Sequence, residues 1–116
     1  MAFWLKYSYV PSAPPPGTVL ELKRPFNEFS KTNSFAYYAE VPSLDGAADT
    51  NNYSRTPYVV YEDNRPLSPV HALHAEIREL GHGRFSHWKG VGFIISSSDG
   101  TSPASNGRRY SVVLPP

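Results

Sequence analysis

Apolar and polar residues alternate along several short stretches of the chain. In residues 3–10, Phe3, Leu5, Tyr7 and Tyr9 fall on one side and Trp4, Lys6 and Ser8 on the other. A period of two over that length predicts a half-buried strand. Residues 11–17, with Pro14, Pro15 and Pro16, predict an extended segment that breaks at Gly17. Residues 18–22 predict a second short strand, ended by Lys23, Arg24 and Pro25. Residues 34–41 are β-prone and aromatic through Phe35, Tyr37 and Tyr38, and close at Pro42. Further strands are predicted over 57–61, 90–97 and 108–114.

Between them the pattern changes. Residues 44–56 hold Asp45, Gly46, Asp49, Asn51 and Asn52 and predict a long polar loop, of the kind that is often functional or mobile. Residues 62–66 supply a turn. Ser68 is then a good helix N-cap and Pro69 a good first helical residue, because its missing N–H would be orphaned there anyway. Val70, Leu73, Ile77 and Leu80 fall on one stripe, and Gly81 suits the left-handed position just past a helix end. Together these predict one helix over about 69–80. Residues 98–107 form a turn-rich loop around Asp99-Gly100 and Asn106-Gly107, dipeptides that accept positive φ. There is no internal repeat. Five or six strands and one short α-helix predict a mainly β fold, a small antiparallel β-sandwich or partly open barrel.

Composition narrows the classes. The 116 residues fit a single β-rich domain spanning 1–116 and can bury roughly two-thirds of their unfolded surface. Without cysteine there are no disulfides, thiolate metal sites or cysteine nucleophiles. A net charge of +1 argues against nucleic acid or an anionic membrane as main partner. No signal peptide is visible in the first residues and no apolar run approaches the ~20 residues that span a bilayer, so the default reading is cytoplasmic. The ending Leu114-Pro115-Pro116 reads as the start of a linker, so the chain also reads as one domain of a longer protein.

Three kinds of chemistry fit parts of this pattern. All four histidines lie close together, and His71 and His74 sit three apart on the predicted helix. With His82 or His87 they could form a three-His metal site for hydrolysis, with Glu76 or Glu79 as base. The spacing matches no strong metal signature, and the plainer reading leaves His71 solvated and His74 flanking the core. Nucleophilic catalysis through Ser86 and His87 is opposed by their adjacency, since neighbours on a strand face opposite ways. The third is sugar binding. Trp88, Arg84, His87, Asp99, Asn106 and Arg108 crowd into residues 81–110, and an aromatic plate ringed by planar polar groups suits a sugar ring. Against it, Asp99, Ser98 and Asn106 could cap their own turns, Arg108 could pair with Asp99, and Trp88 could be core.

The runs Tyr61-Glu62-Asp63-Asn64-Arg65-Pro66-Leu67, His71-Ala72-Leu73-His74, Ile77-Arg78, Gly81-His82-Gly83-Arg84-Phe85-Ser86-His87-Trp88, Ser96-Ser97-Ser98-Asp99-Gly100 and Asn106-Gly107-Arg108-Arg109-Tyr110 follow in order. They resemble a small β-rich accessory domain of bacterial proteins, joined to glycosyltransferase-like or methyltransferase-like regions of surface-polysaccharide pathways. The resemblance covers the second half of the chain well and the first half loosely. It implies a non-catalytic module that needs no cofactor. Such a module would bind carbohydrate or dock a linked glycan-processing enzyme, through the six residues just named and next through His71 and His74. The alternatives are a purely structural assembly domain and a metal-dependent hydrolase built on His71, His74 and His82.

Overall fold

The computed structural model describes residues 15–29 and 34–115. The strand expected over residues 3–10 lies outside them. Where the sequence predicts five or six strands, eight form among the described residues: β1 (Thr18–Glu21), β2 (Asn27–Glu28), β3 (Tyr37–Ala39), β4 (Val59–Glu62), β5 (Arg65–Pro66), β6 (Ser86–Trp88), β7 (Gly92–Ile95) and β8 (Tyr110–Val113). They form two four-stranded sheets, ordered β1-β8-β4-β5 and β2-β3-β7-β6, with every strand pair antiparallel. Neither sheet closes into a barrel.

Register decides what lies between the sheets. Val60 sits opposite Val112 and Glu62 opposite Tyr110 in the first sheet. In the second, Phe93 lies between Ala39 on one side and His87 on the other. Val60, Tyr110 and Val112 meet Ala39, Phe85, Phe93 and Ile95 in one buried cluster. The next residue along β7, Ile94, points to the opposite face and packs with Ala36, Ala72 and Ile77, edged by Phe29, Tyr38, Trp88 and Val91. Phe93, Ile94 and Ile95 are therefore all buried, because β7 is covered on both faces. That is why this strand reads as a continuous apolar run rather than an alternation.

The helix α1 spans His74–Glu79, five residues shorter at its start than the spacing predicts. Residues 67–72 spend their backbone on the sheets instead: Leu67 N–H donates to the Val60 carbonyl and Ala72 N–H to the Phe85 carbonyl. His71 lies at φ 55°, in the left-handed region, which no right-handed helix can contain. Leu73 is extended and makes no side-chain cap. Of the four stripe residues Ile77 alone is buried, while Val70, Leu73 and Leu80 are exposed. Burial of Ile77, worth about 1.5–3 kcal/mol, seats the helix on the sheet. The end is as expected, with Gly81 at φ 63° and its N–H on the Glu76 carbonyl.

Two local features position the rest. Asp63 (φ 46°) and Asn64 (φ 68°) form the two-residue turn of the β4–β5 hairpin, both left-handed as a type I′ turn requires. The polar stretch 44–56 is not all loop: a 3-10 helix, Pro42–Ala47, runs into it and is followed by a parallel bridge from Asp49 to Trp88 on the outer edge of β6. No helix among the described residues is long and apolar enough to cross a membrane.

Candidate functional site

The turn-rich loop after β7 is held by a network of charged hydrogen bonds. Arg108 forks onto Asp99, Nη1 to Oδ1 at 2.9 Å and Nη2 to Oδ2 at 2.7 Å. Asp99 Oδ1 also accepts the Thr101 hydroxyl at 2.7 Å and its N–H at 3.3 Å. The Arg108 guanidinium, then Thr101, hold the Asp99 carboxyl well below the usual carboxylate range. Asn106 accepts the Arg108 N–H at 3.0 Å and donates to the Tyr110 hydroxyl at 2.9 Å.

Beneath this loop, Glu62 of β4 is buried and accepts the Tyr110 hydroxyl at 2.7 Å, the Ser98 hydroxyl at 2.5 Å and the Ser98 N–H at 3.2 Å. Burial is the main cause that raises the Tyr110 phenol above its ordinary value. From the other side, Arg24 donates to the carbonyls of Pro103 and Arg108, both at 2.6 Å, with its guanidinium over the Phe26 ring.

This scaffold walls a shallow cleft of about 240 Å³, lined by Ser34, Phe35, Tyr37, Gly100, Thr101 and Ser102. Phe35 is 39 % exposed. Its ring fits between two glycines: a Cβ on Gly81 would stand 2.8 Å from Phe35 Cγ, and one on Gly100 3.4 Å from Cε1. The Ser34 and Ser102 hydroxyls each accept one backbone N–H, from Ala36 and Ala104, which leaves the hydroxyl protons to donate. The lining carries no charged side chain.

A second polar cluster sits at the β6 edge. Asp49 is buried, and its Oδ1 accepts the N–H groups of Arg55 at 2.7 Å and Thr56 at 2.9 Å. Its Oδ2 lies 2.6 Å from His71 Nδ1. The Thr56 hydroxyl lies 2.7 Å from His87 Nδ1, while His87 Nε2 is buried with no hydrogen-bonding partner. The His87 ring stacks on Phe93 at 4.0 Å. Burial lowers the His87 pKa from its ordinary value, partly offset by the charges of Asp49 and Asp45.

The six residues singled out as a sugar site therefore fall in separate places. Asp99, Asn106 and Arg108 come together, bonded to one another. His87 faces the inter-sheet core. Trp88, one residue on, belongs to the helix-side cluster and meets the His74 ring edge to face at 4.9 Å. Arg84 donates to the Gly81 carbonyl beyond the end of α1.

The histidines also diverge. His71 turns to Asp49, His74 lies between Phe29 and Trp88 with its pKa lowered by burial and then by Arg78, and His82 is exposed. No three His, Asp or Glu side chains among the described residues converge as a metal site would need. Ser86 and His87 lie on opposite faces of β6, as their adjacency required, and the Ser86 hydroxyl is buried without a partner.

Sequence reading did not single out Asp49, Thr56, Glu62, Phe35 or Tyr37 as site residues. Glu62 carried one signal, its place at the head of the 62–66 turn; the register alone sets it opposite Tyr110. Asp49 carried none beyond its place in a polar loop. Compared with known proteins, the chain matches no family model, no curated protein and no solved structure.

Proposed function

We propose that the domain is a non-catalytic module that binds one neutral sugar ring of a glycan in the cleft beside Phe35, in service of a linked or partner carbohydrate-processing enzyme. The observation that carries this reading is the lining: two aromatic rings, the Ser34 and Ser102 hydroxyls with protons left to donate, and no charge, in a volume smaller than the pockets that enclose drug-sized ligands. An aromatic face takes the C–H groups of a sugar while hydroxyls exchange hydrogen bonds with its own. In this reading Asp99, Asn106 and Arg108 shape the cleft wall rather than touch the sugar. The consumption of those residues in bonds to one another also favours the second reading, a purely structural assembly domain.

Titration of the labelled protein with neutral hexose and N-acetylhexosamine oligosaccharides, followed by backbone NMR, separates the two. A binding module gives shifts at Phe35, Tyr37, Gly100 and Thr101 that saturate at roughly millimolar ligand, the range open to one ring in a shallow cleft. Phe35→Ala abolishes them, and Trp88→Ala, on the opposite face of the second sheet, leaves them intact. Absence of shifts, or shifts that survive Phe35→Ala in a folded variant, defeats the sugar reading.

A further inference from the structure

We propose that residues 42–56 form a strap that acid releases from the β6 edge, with His87 as the trigger. The strap covers that edge with its own backbone: Asp49 N–H donates to the His87 carbonyl at 2.7 Å, and Lys89 N–H donates to the Asp49 carbonyl at 3.0 Å. Its 3-10 helix buries no residue, so the strap is seated mainly by Ala48, Asp49 and Thr56, with Val41 and Leu44 partly buried against the core. Its side-chain anchors are Asp49 to His71, Thr56 to His87, and Asp45, which accepts the Gly90 N–H at 2.8 Å.

A proton on His87 occupies both ring nitrogens, and the buried Nε2–H then has no protein acceptor. The groups that face His87 are Asp45 and Asp49 from the strap, the Thr56 hydroxyl, the Tyr58 ring edge from the segment before β4 and the Phe93 ring from β7. Of these only Asp45 and Asp49 carry charge, and their attraction does not outweigh the burial that keeps the ring neutral. Opening the strap breaks the Thr56 contact and gives the ring water, so falling pH favours the open form.

Amide hydrogen exchange of the wild-type chain between pH 7.5 and pH 5.0, corrected for intrinsic rates, reads this directly. The expected result is that protection of Asp49, Thr56 and Lys89 falls several-fold more than that of Val112 in β8, up to the limit of about thirtyfold for one proton taken up at the ordinary 6.5 in the open form and excluded from the closed form over this pH range. Equal loss at the strap and at β8 would mean global unfolding only and would overturn the proposal, as would a strap whose protection does not change. His87→Phe keeps the stack on Phe93 but takes no proton, and makes strap protection independent of pH over that range. A variant that retains the full pH response removes His87 as the trigger. His87→Gln serves the same comparison should the phenylalanine variant not fold.

Discussion

Glu62→Ala tests whether the loop after β7 hangs on one buried carboxylate. In the native chain Glu62 accepts the Tyr110 hydroxyl at 2.7 Å and two donors of Ser98, with the Arg108 guanidinium 3.5 Å away. Ser98 is exposed and recovers water when the carboxylate is removed. Tyr110 is fully buried and keeps only the hydrogen bond it accepts from Asn106, so its own proton is left without an acceptor. A buried orphaned donor costs about 1–3 kcal/mol and a lost bond to a charged group about 1.5–3, and the two overlap, so the net loss is about 2–4 kcal/mol. Tyr110→Phe removes the donor together with the need for it and costs about 1–2 kcal/mol. In the double variant the losses do not add, and the coupling is about 1–2 kcal/mol. Urea unfolding followed by tryptophan fluorescence measures each as a shift in midpoint at constant m value. Additive losses, or a Glu62→Ala cost under about 0.5 kcal/mol, would show that water or the surrounding loop satisfies Tyr110 and that the carboxylate is not its anchor.

Ile77→Ala removes the one buried residue of α1 and should cost about 2–5 kcal/mol in the same assay, whereas Leu73→Ala, at a site 68 % exposed, should cost little. Gly92→Ala should abolish folding or shift the midpoint by several molar, because its Cβ would stand 2.2 Å from the Ala39 carbonyl oxygen at a φ of 111°; a variant that folds with native stability contradicts the β3–β7 geometry. His74 and His87 both have pKa values below their ordinary 6.5, so below pH 6.5 the unfolded chain binds more protons than the folded one. Their contribution to stability is complete above that pH and is lost as the pH falls towards their native values. Calorimetry should show Tm dropping from pH 7 to pH 5, and a Tm that stays level or rises would refute it.

The parts of the fold legible in the sequence are those where one rule decides. β8 alternates, β7 is a run of apolar residues, and the turn at Asp63-Asn64 is built from residues that tolerate positive φ. For β6 no strand bounds are predicted, although Ser86 and His87 read as strand neighbours; it forms because both of its faces meet apolar neighbours, Phe93 on one and Ile94 on the other. The helix was over-extended for the converse reason. A spacing of three, four and three is a statement about a helix already formed, and residues 67–72 have their backbone bonds elsewhere.

The site shows the same division between what neighbours in sequence decide and what packing decides. Arg108 and Asp99 are nine residues apart across one loop, and their pairing was open to the eye as one of two readings. Asp49 and His71 are twenty-two residues apart, joined only because the strap crosses β6, and no local pattern announces it. The residues that look most like chemistry in the sequence, Asp99, Asn106 and Arg108, have their hydrogen bonds directed at each other. The open cleft is lined instead by Phe35 and Tyr37, which read as ordinary sheet formers. Aromatic residues near a short strand are therefore ambiguous until the neighbouring loop is placed, because the same ring is core under a covering segment and exposed beside a glycine. Here Gly81 and Gly100 supply that difference, leaving room for the Phe35 ring and no side chain to cover it.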